Sequence, residues 1–136
     1  MNHLPKKEQR IILLIEDEET LRRSITFTLM RMGYCVIPMG MVDDGLRWIS
    51  ETNDSDYRIL LIITDLQLPG KNGMELVRMA RVAVPKVPIL IITGHGGREV
   101  REELRALGVE DILDKPFDLE QLLTKMRKML DSANNL

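Results

Sequence analysis

The stretch that decides the fold runs from Tyr57 to Leu76 and reads YRILLIITDLQLPGKNGMEL. Its apolar residues from Ile59 to Ile63 follow one another without a break and stop at Thr64-Asp65. An unbroken run rich in Ile and Leu that ends in turn-forming residues predicts a strand buried on both faces, as in parallel sheets covered by helices. Asp65 is then placed at the carboxyl end of the strand, which is the edge where open α/β sheets bind ligands.

The segment after this strand carries turn formers and then a helical pattern. Pro69-Gly70 and Asn72-Gly73 are dipeptides typical of turns, and apolar residues recur at helical spacing from Met74. Asp65 therefore stands on a loop at the rim of a central strand. This stretch alone leaves two interpretations of Asp65 open: a ligand-binding carboxylate, or a residue that caps a helix or forms a turn.

Length and composition indicate one ordinary globular domain. The chain has 136 residues, of which 44% are hydrophobic and 29% charged, and its net charge is −2. This charge balance gives no support for binding to nucleic acid or to a membrane surface. The single cysteine, Cys35, excludes an internal disulfide and suits a reducing cytoplasm. Because no segment is long and apolar enough to predict a membrane span, we expect a cytoplasmic location.

The rest of the chain alternates between predicted strands and predicted helices. Further strands are predicted at 11–15, 34–39, 87–92 and 109–113, and helices at 21–32, 42–49, from about 72, at 100–107 and at 119–131. This alternation, with right-handed crossovers, predicts an α/β protein with a flavodoxin-like, doubly wound (βα)5 fold and a five-stranded parallel sheet of order 2-1-3-4-5. The domain is expected to cover residues 10–131, after a flexible N-terminal segment at 1–9 and before a short C-terminal tail at 132–136.

Polar residues stand at the carboxyl ends of four of these strands. Glu16 and Asp17 follow the first strand, Asp65 ends the third, Thr93 follows the fourth and Lys115 follows the fifth. Since the first and third strands are neighbours in the predicted order, the three carboxylates should converge at the switch point of the sheet. Crowded carboxylates repel one another, and a hard divalent cation such as Mg²⁺ relieves that repulsion. Taken singly, each residue also has a structural explanation as a helix start, a strand end or a surface charge.

The combination of these residues resembles the receiver domains of two-component response regulators. The resemblance covers roughly residues 10–131 and rests on Glu16-Asp17, Asp65 with Pro69 and Gly73, Thr93, and Lys115-Pro116-Phe117. It implies that Asp65 accepts a phosphoryl group from the phosphohistidine of a sensor histidine kinase or of a phosphotransfer protein. It also implies a phosphoacceptor that assists its own phosphorylation and dephosphorylation, and not an enzyme that acts on a separate substrate.

The resemblance also implies a Mg²⁺ site next to the phosphoacceptor. Asp17, Asp65 and the backbone carbonyl of Gln67 would bind the ion, and Glu16 would act through a bound water. The family usually has Asp at the position of Glu16. The side chain here is one methylene longer, so the water-mediated part of the site is expected to shift.

The switch residues implied by the resemblance are Thr93 and the position of Ile112. Thr93 would contact the phosphoryl group after a shift, Lys115 would pair first with Asp65 and then with the phosphoryl oxygens, and the Lys115–Pro116 bond would be cis. Many members have Tyr or Phe where this chain has Ile112, whose β-branched side chain is stiff and has no hydroxyl. We expect Ile112 to be passive packing, and the loop after Thr93 and the 98–107 helix to carry activation to the face formed by residues 98–131.

Three other functions share parts of the pattern. A flavin carrier of the same fold would need a phosphate-binding loop after the first strand, where this chain has four consecutive carboxylates at 16–19. A haloacid-dehalogenase-type phosphatase would need a second acid at the position of Gln67. A pseudo-receiver that acts only as a protein-interaction module is the remaining alternative. The downstream partner is expected to be a protein target or an output domain beyond Leu136, with no direct binding of this chain to nucleic acid or to a membrane.

Overall fold

The computed structural model describes residues 10–52, 58–68, 72–94 and 96–134, and strands and helices alternate along them. The strands are β1 (Arg10–Ile15), β2 (Cys35–Met39), β3 (Arg58–Asp65), β4 (Ile89–Thr93) and β5 (Ile112–Asp114). The helices are α1 (Glu19–Arg31), α2 (Val42–Thr52), α3 (Gly73–Ala83), α4 (Arg98–Ala106) and α5 (Leu119–Asn134). The segment at 1–9, which the sequence predicts to be flexible, lies outside the described residues.

The strands form one parallel sheet in the order β2-β1-β3-β4-β5, which confirms the predicted doubly wound fold. The last residue of β1 pairs with the penultimate residue of β3. Asp65 at the end of β3 pairs with Ile92, and Thr93 at the end of β4 pairs with Asp114. The carboxyl ends of β1, β3, β4 and β5 therefore lie together at one edge of the sheet.

Two apolar clusters cover the two faces of the sheet. Because side chains alternate along a strand, Ile12 and Leu14 of β1 enter one cluster, and Leu13 and Ile15 enter the other. Helices α1 and α5 pack on the first cluster, and α2, α3 and α4 pack on the second. Every residue from 11 to 15 is fully buried, which confirms that the unbroken apolar runs are strands covered on both faces.

Side chains cap the starts of two helices. Asn72 begins α3, and its side-chain oxygen accepts a hydrogen bond from the backbone N–H of Glu75 at 3.2 Å. Before α5, the Asp118 carboxylate accepts a hydrogen bond from the N–H of Gln121, and the Gln121 side-chain oxygen accepts one from the N–H of Asp118. This reciprocal arrangement satisfies two donors that a helix start leaves unpaired, and it confirms Asp118 as the predicted cap.

β5 begins later than predicted, at Ile112 and not at Val109. The N–H of Gly108 bonds to the carbonyl of Arg105, and the N–H of Val109 bonds to the carbonyl of Leu104. These two bonds close α4 in a Schellman motif, in which the residue after the glycine packs back on the helix. Val109 is buried for this reason, so its apolar character belongs to the helix end and not to the strand.

Boundaries of other elements also differ from the prediction. β2 begins at Cys35, because the N–H of Tyr34 bonds back to the carbonyl of Leu29 and closes α1. β4 begins at Ile89 and includes Thr93. α5 continues to Asn134, beyond the predicted end near 131, so the first residues of the predicted tail are helical.

Candidate functional site

Asp65 lies at the end of β3 with its carboxylate turned into the sheet edge, and it is only 4% exposed. Its Oδ1 atom accepts a hydrogen bond from the backbone N–H of Gln67 at 2.9 Å. Its Oδ2 atom accepts one from Nζ of Lys115 at 2.6 Å. Asp65 does not cap α3, which Asn72 begins, so the interpretation of Asp65 as a helix cap is wrong.

Glu16 is fully buried beside Asp65. Its Oε2 atom accepts a hydrogen bond from the backbone N–H of Glu18 at 2.9 Å. Its Oε1 atom forms an ion pair with Nζ of Lys115 at 2.6 Å. Burial raises the pKa of the Glu16 carboxyl above its ordinary value of 4.5, and Lys115 opposes that rise only in part.

Lys115 joins the two buried carboxylates. Its Nζ atom lies 2.6 Å from an oxygen of Glu16 and 2.6 Å from an oxygen of Asp65. Burial lowers the pKa of the ammonium, but the hydrogen bonds and negative charges of Asp65 and Glu16 raise it more, so the net shift is upward from 10.5. Lys115 therefore stays protonated at neutral pH and balances one of the two buried charges.

A third carboxylate, that of Asp17, completes an acidic cluster with Glu16 and Asp65. One oxygen of each of the three carboxylates lies within 4.8 Å of the other two, and Asp17 is exposed to solvent. The cluster thus holds three carboxyl groups beside one ammonium. An all-oxygen donor set that opens to solvent on one side fits a hard divalent cation.

Arg22 supports the loop that carries two of these carboxylates. Its Nη1 atom donates to the backbone carbonyls of Glu16 at 2.9 Å and of Asp17 at 3.4 Å. A Cβ atom at Gly40 would lie 3.2 Å from the same nitrogen, so a side chain there would crowd the guanidinium. Nothing in the sequence pattern indicated this role, because the bonds go to backbone oxygens.

Gly73 supports the loop that carries Asp65. A Cβ atom at this position would lie 2.3 Å from the carbonyl oxygen of Asp65 and 2.8 Å from Cα of Leu66. The N–H of Gly73 also bonds to the carbonyl of Leu66 at 2.9 Å. The sequence indicated a turn glycine here, whereas the structure requires glycine because α3 begins in backbone contact with the end of β3.

The remaining predicted residues flank this cluster. Thr93 is fully buried at the end of β4, and its carbonyl accepts a hydrogen bond from the N–H of Lys115 at 2.9 Å. The Lys115–Pro116 peptide bond is cis. Ile112 is half-buried in the second cluster. The Gln67 carbonyl stays a predicted ligand, and Pro69 lies outside the described residues.

The fold and the site define a doubly wound α/β domain with a lysine-bridged carboxylate cluster at the switch point of its sheet. The chain belongs to the response regulator receiver domain family, whose model matches residues 12–127. This confirms the family that the sequence motifs predicted. It also sets aside the flavin-carrier and dehalogenase alternatives.

Curated relatives of the chain are named as regulatory proteins. The chain is 37% identical over 119 residues to the transcriptional regulatory protein CusR of Escherichia coli, an alignment that covers 88% of this chain and 50% of the relative. It is 33% identical over 119 residues to the two-component response regulator PhoP of Pseudomonas aeruginosa, covering 88% of this chain and 51% of the relative. The chain thus spans about half the length of these relatives.

Solved structures agree with the fold. The non-phosphorylated HemR receiver domain of Leptospira biflexa superposes with a TM-score of 0.78 at 26% identity, covering 90% of this chain and 94% of that one. A CheY-like receiver domain protein of Methanospirillum hungatei has the same fold, with a TM-score of 0.84 at 24% identity and coverage of 94% and 98%. Within the described residues, no helix has both the length and the apolar character needed to cross a membrane.

Proposed function

We propose that Asp65 of this chain accepts the phosphoryl group of a phosphohistidine in a Mg²⁺-dependent reaction. The observation that carries the proposal is the environment of Asp65, a buried carboxylate paired with Lys115 inside a cluster with Glu16 and Asp17. In phosphoryl transfer, a protein accelerates the reaction mainly by positioning the reacting groups and by neutralising charge on the transferred group. The arrangement around Asp65 supports both.

In the transfer step, a carboxylate oxygen of Asp65 attacks phosphorus in line with the leaving group. A P–O bond forms as the P–N bond of the phosphohistidine breaks, and the electron pair of that bond stays on the imidazole nitrogen. The Lys115 ammonium, which now bonds the carboxylate, neutralises charge on the phosphoryl oxygens. The hydroxyl of Thr93 moves to bond one of the same oxygens.

The metal site of the proposal uses Asp17, Asp65 and the Gln67 carbonyl as direct ligands. When bound, Mg²⁺ neutralises the carboxylates and the incoming phosphoryl group. Glu16 acts through a water. Its place in the acidic cluster supports this role, because one of its oxygens lies within 4.8 Å of an oxygen of Asp17 and of Asp65.

The phosphoryl donor in this proposal is a sensor histidine kinase or a phosphotransfer protein in the cytoplasm. The receiver domain occupies residues 10–131, and the signal passes from the 98–131 face to a protein target or to an output domain. CusR, which is about twice as long as this chain and is named a transcriptional regulatory protein, favours an output domain. This chain itself makes no direct contact with nucleic acid or with a membrane.

The test is phosphorylation with a small acyl phosphate and Mg²⁺, followed by intact-mass measurement. The wild-type chain should gain one phosphoryl group, Asp65→Asn should gain none, and Asp44→Asn, which alters an exposed aspartate of α2, should label like the wild type. Removal of Mg²⁺ with a chelator should suppress labelling. Labelling that persists in Asp65→Asn would refute the assignment, and a folded wild-type chain that gains no phosphoryl group would be a pseudo-receiver.

A further inference from the structure

Arg101 of α4 makes three hydrogen bonds that bridge two segments of the site edge. Its Nη2 atom lies 2.8 Å from Oδ1 and 2.9 Å from Oδ2 of Asp114 at the end of β5. Its Nε atom donates to the backbone carbonyl of Gly96, in the segment between β4 and α4, at 2.9 Å. One guanidinium therefore ties this segment to β5, and we call the three residues the arginine clasp.

The two ends of the arginine clasp are next to two residues of the proposed reaction. Asp114 immediately precedes Lys115 in the chain. Gly96 lies against Thr93, because a Cβ atom at Gly96 would be 3.1 Å from Cγ2 of that threonine. A shift of Thr93 toward a phosphoryl group on Asp65 therefore changes the surroundings of Gly96, and a movement of Gly96 relative to β5 strains the bonds of Arg101.

We propose that Arg101 is a positioning residue that holds Gly96 in its resting position and must release it when Asp65 is phosphorylated. The inference rests on the proposed function and adds the residue that sets the balance between the two arrangements. Hydrogen bonds weaken steeply when their geometry is lost, so the arginine clasp is either made or broken. Ile112 has no polar atom in its side chain and cannot serve this purpose.

The proposal makes a specific prediction for binding of a phosphoryl mimic. If the arginine clasp favours the resting arrangement, only the molecules that have released it bind the mimic well. The apparent affinity is then the intrinsic affinity multiplied by the fraction of those molecules. Loss of the arginine clasp should therefore tighten binding. For a partly exposed ion pair with an added carbonyl bond, we expect a gain of about three- to tenfold.

The experiment titrates the full chain with beryllofluoride and Mg²⁺ and follows the amide shifts. Arg101→Ala should bind about three- to tenfold more tightly. Asp114→Ala, which keeps the bond to Gly96, should also bind more tightly but by a smaller factor, and the double variant should bind no more tightly than Arg101→Ala alone. Without the mimic, the amide shifts of residues 96–104 in Arg101→Ala should move part of the way toward their bound positions. Arg98→Ala, which removes an exposed pair with Glu102 in the same helix, is the control and should bind like the wild type.

A role limited to stability gives a different result. Urea unfolding would then show a less stable Arg101→Ala, while beryllofluoride would bind with unchanged or weaker affinity, and this result would overturn the proposal. If Arg101→Ala does not fold, Arg101→Gln replaces it with the same expected direction. A wild-type chain that binds no beryllofluoride would overturn the proposed function as well, whereas normal wild-type binding with no tightening in the variants overturns only the role of Arg101.

Discussion

Replacement of Lys115 by methionine tests whether one ammonium keeps the two buried carboxylates compatible with the fold. Methionine keeps most of the length and the apolar stem of lysine but removes the charge that lies 2.6 Å from both Glu16 and Asp65. Removing one partner of a buried ion pair costs about 3–5 kcal/mol. Because the Lys115 side chain is 22% exposed, we expect the lower end, a loss of about 3 kcal/mol in the free energy of unfolding at pH 7.5.

The pH dependence of this loss follows from Glu16. Burial raises the pKa of its carboxyl in the folded chain. The raised pKa therefore contributes stability that is fully present below pH 4.5 and is lost as the pH rises through the pKa of the folded chain. Lys115 lowers that pKa, so Lys115→Met should raise it further and extend the loss to higher pH. The difference in stability between the variant and the wild type should therefore be large at pH 7.5 and shrink as the pH falls toward 4.5.

The assay is urea unfolding in the presence of a chelator, at several pH values from 4.5, the ordinary pKa of the Glu16 carboxyl, up to about 7.5. Lys125→Met is the matched control, because its ammonium lies 3.8 Å from Asp111 and both side chains are substantially exposed. Exposed pairs of this kind contribute about 0–1 kcal/mol. Equal losses in the two variants, or a loss in Lys115→Met that does not change with pH, would refute the reasoning.

Two further predictions concern the supports of the site. Gly73→Ala places a Cβ atom 2.3 Å from the carbonyl oxygen of Asp65 and should lower the free energy of unfolding, measured in urea, by at least about 2 kcal/mol. Gly94→Ala, whose new Cβ atom would lie 4.0 Å from its nearest neighbour, is the control and should be close to neutral. Similar unfolding midpoints for the two variants would show that α3 can move away from β3. Arg22→Gln removes the bonds to the carbonyls of the β1–α1 loop and should weaken Mg²⁺ binding about tenfold in an amide-shift titration. Arg23→Gln, at an exposed position of the same helix, should leave that affinity unchanged, and unchanged affinity in Arg22→Gln would exclude the supporting role.

The sequence by itself determined the sheet order and the place of the site. Short unbroken apolar runs such as 59–63, rich in Ile and Leu and ended by turn formers, favour strands covered on both faces, and their alternation with helices allows few topologies. Once the order is known, the residues at the carboxyl ends must meet, which is why Glu16, Asp65 and Lys115 were predicted together. These inferences succeed because they depend on local patterns and on the geometry of a parallel sheet.

The tertiary structure alone decided how those residues are held. Glu16 and Asp17 are adjacent in the sequence, but Glu16 is fully buried and Asp17 is exposed. No local sequence pattern predicts this difference in burial. The contacts of Arg22 with backbone carbonyls, the approach of Gly73 to Asp65 and the bridge from Arg101 to Asp114 depend on the conformation of the loops at the sheet edge, which no residue pattern indicates. The start of β5 at Ile112 also depended on the packed fold. An apolar residue such as Val109 is compatible with a strand or with a helix end, and the hydrogen bond from its backbone N–H to the carbonyl of Leu104 assigns it to the end of α4.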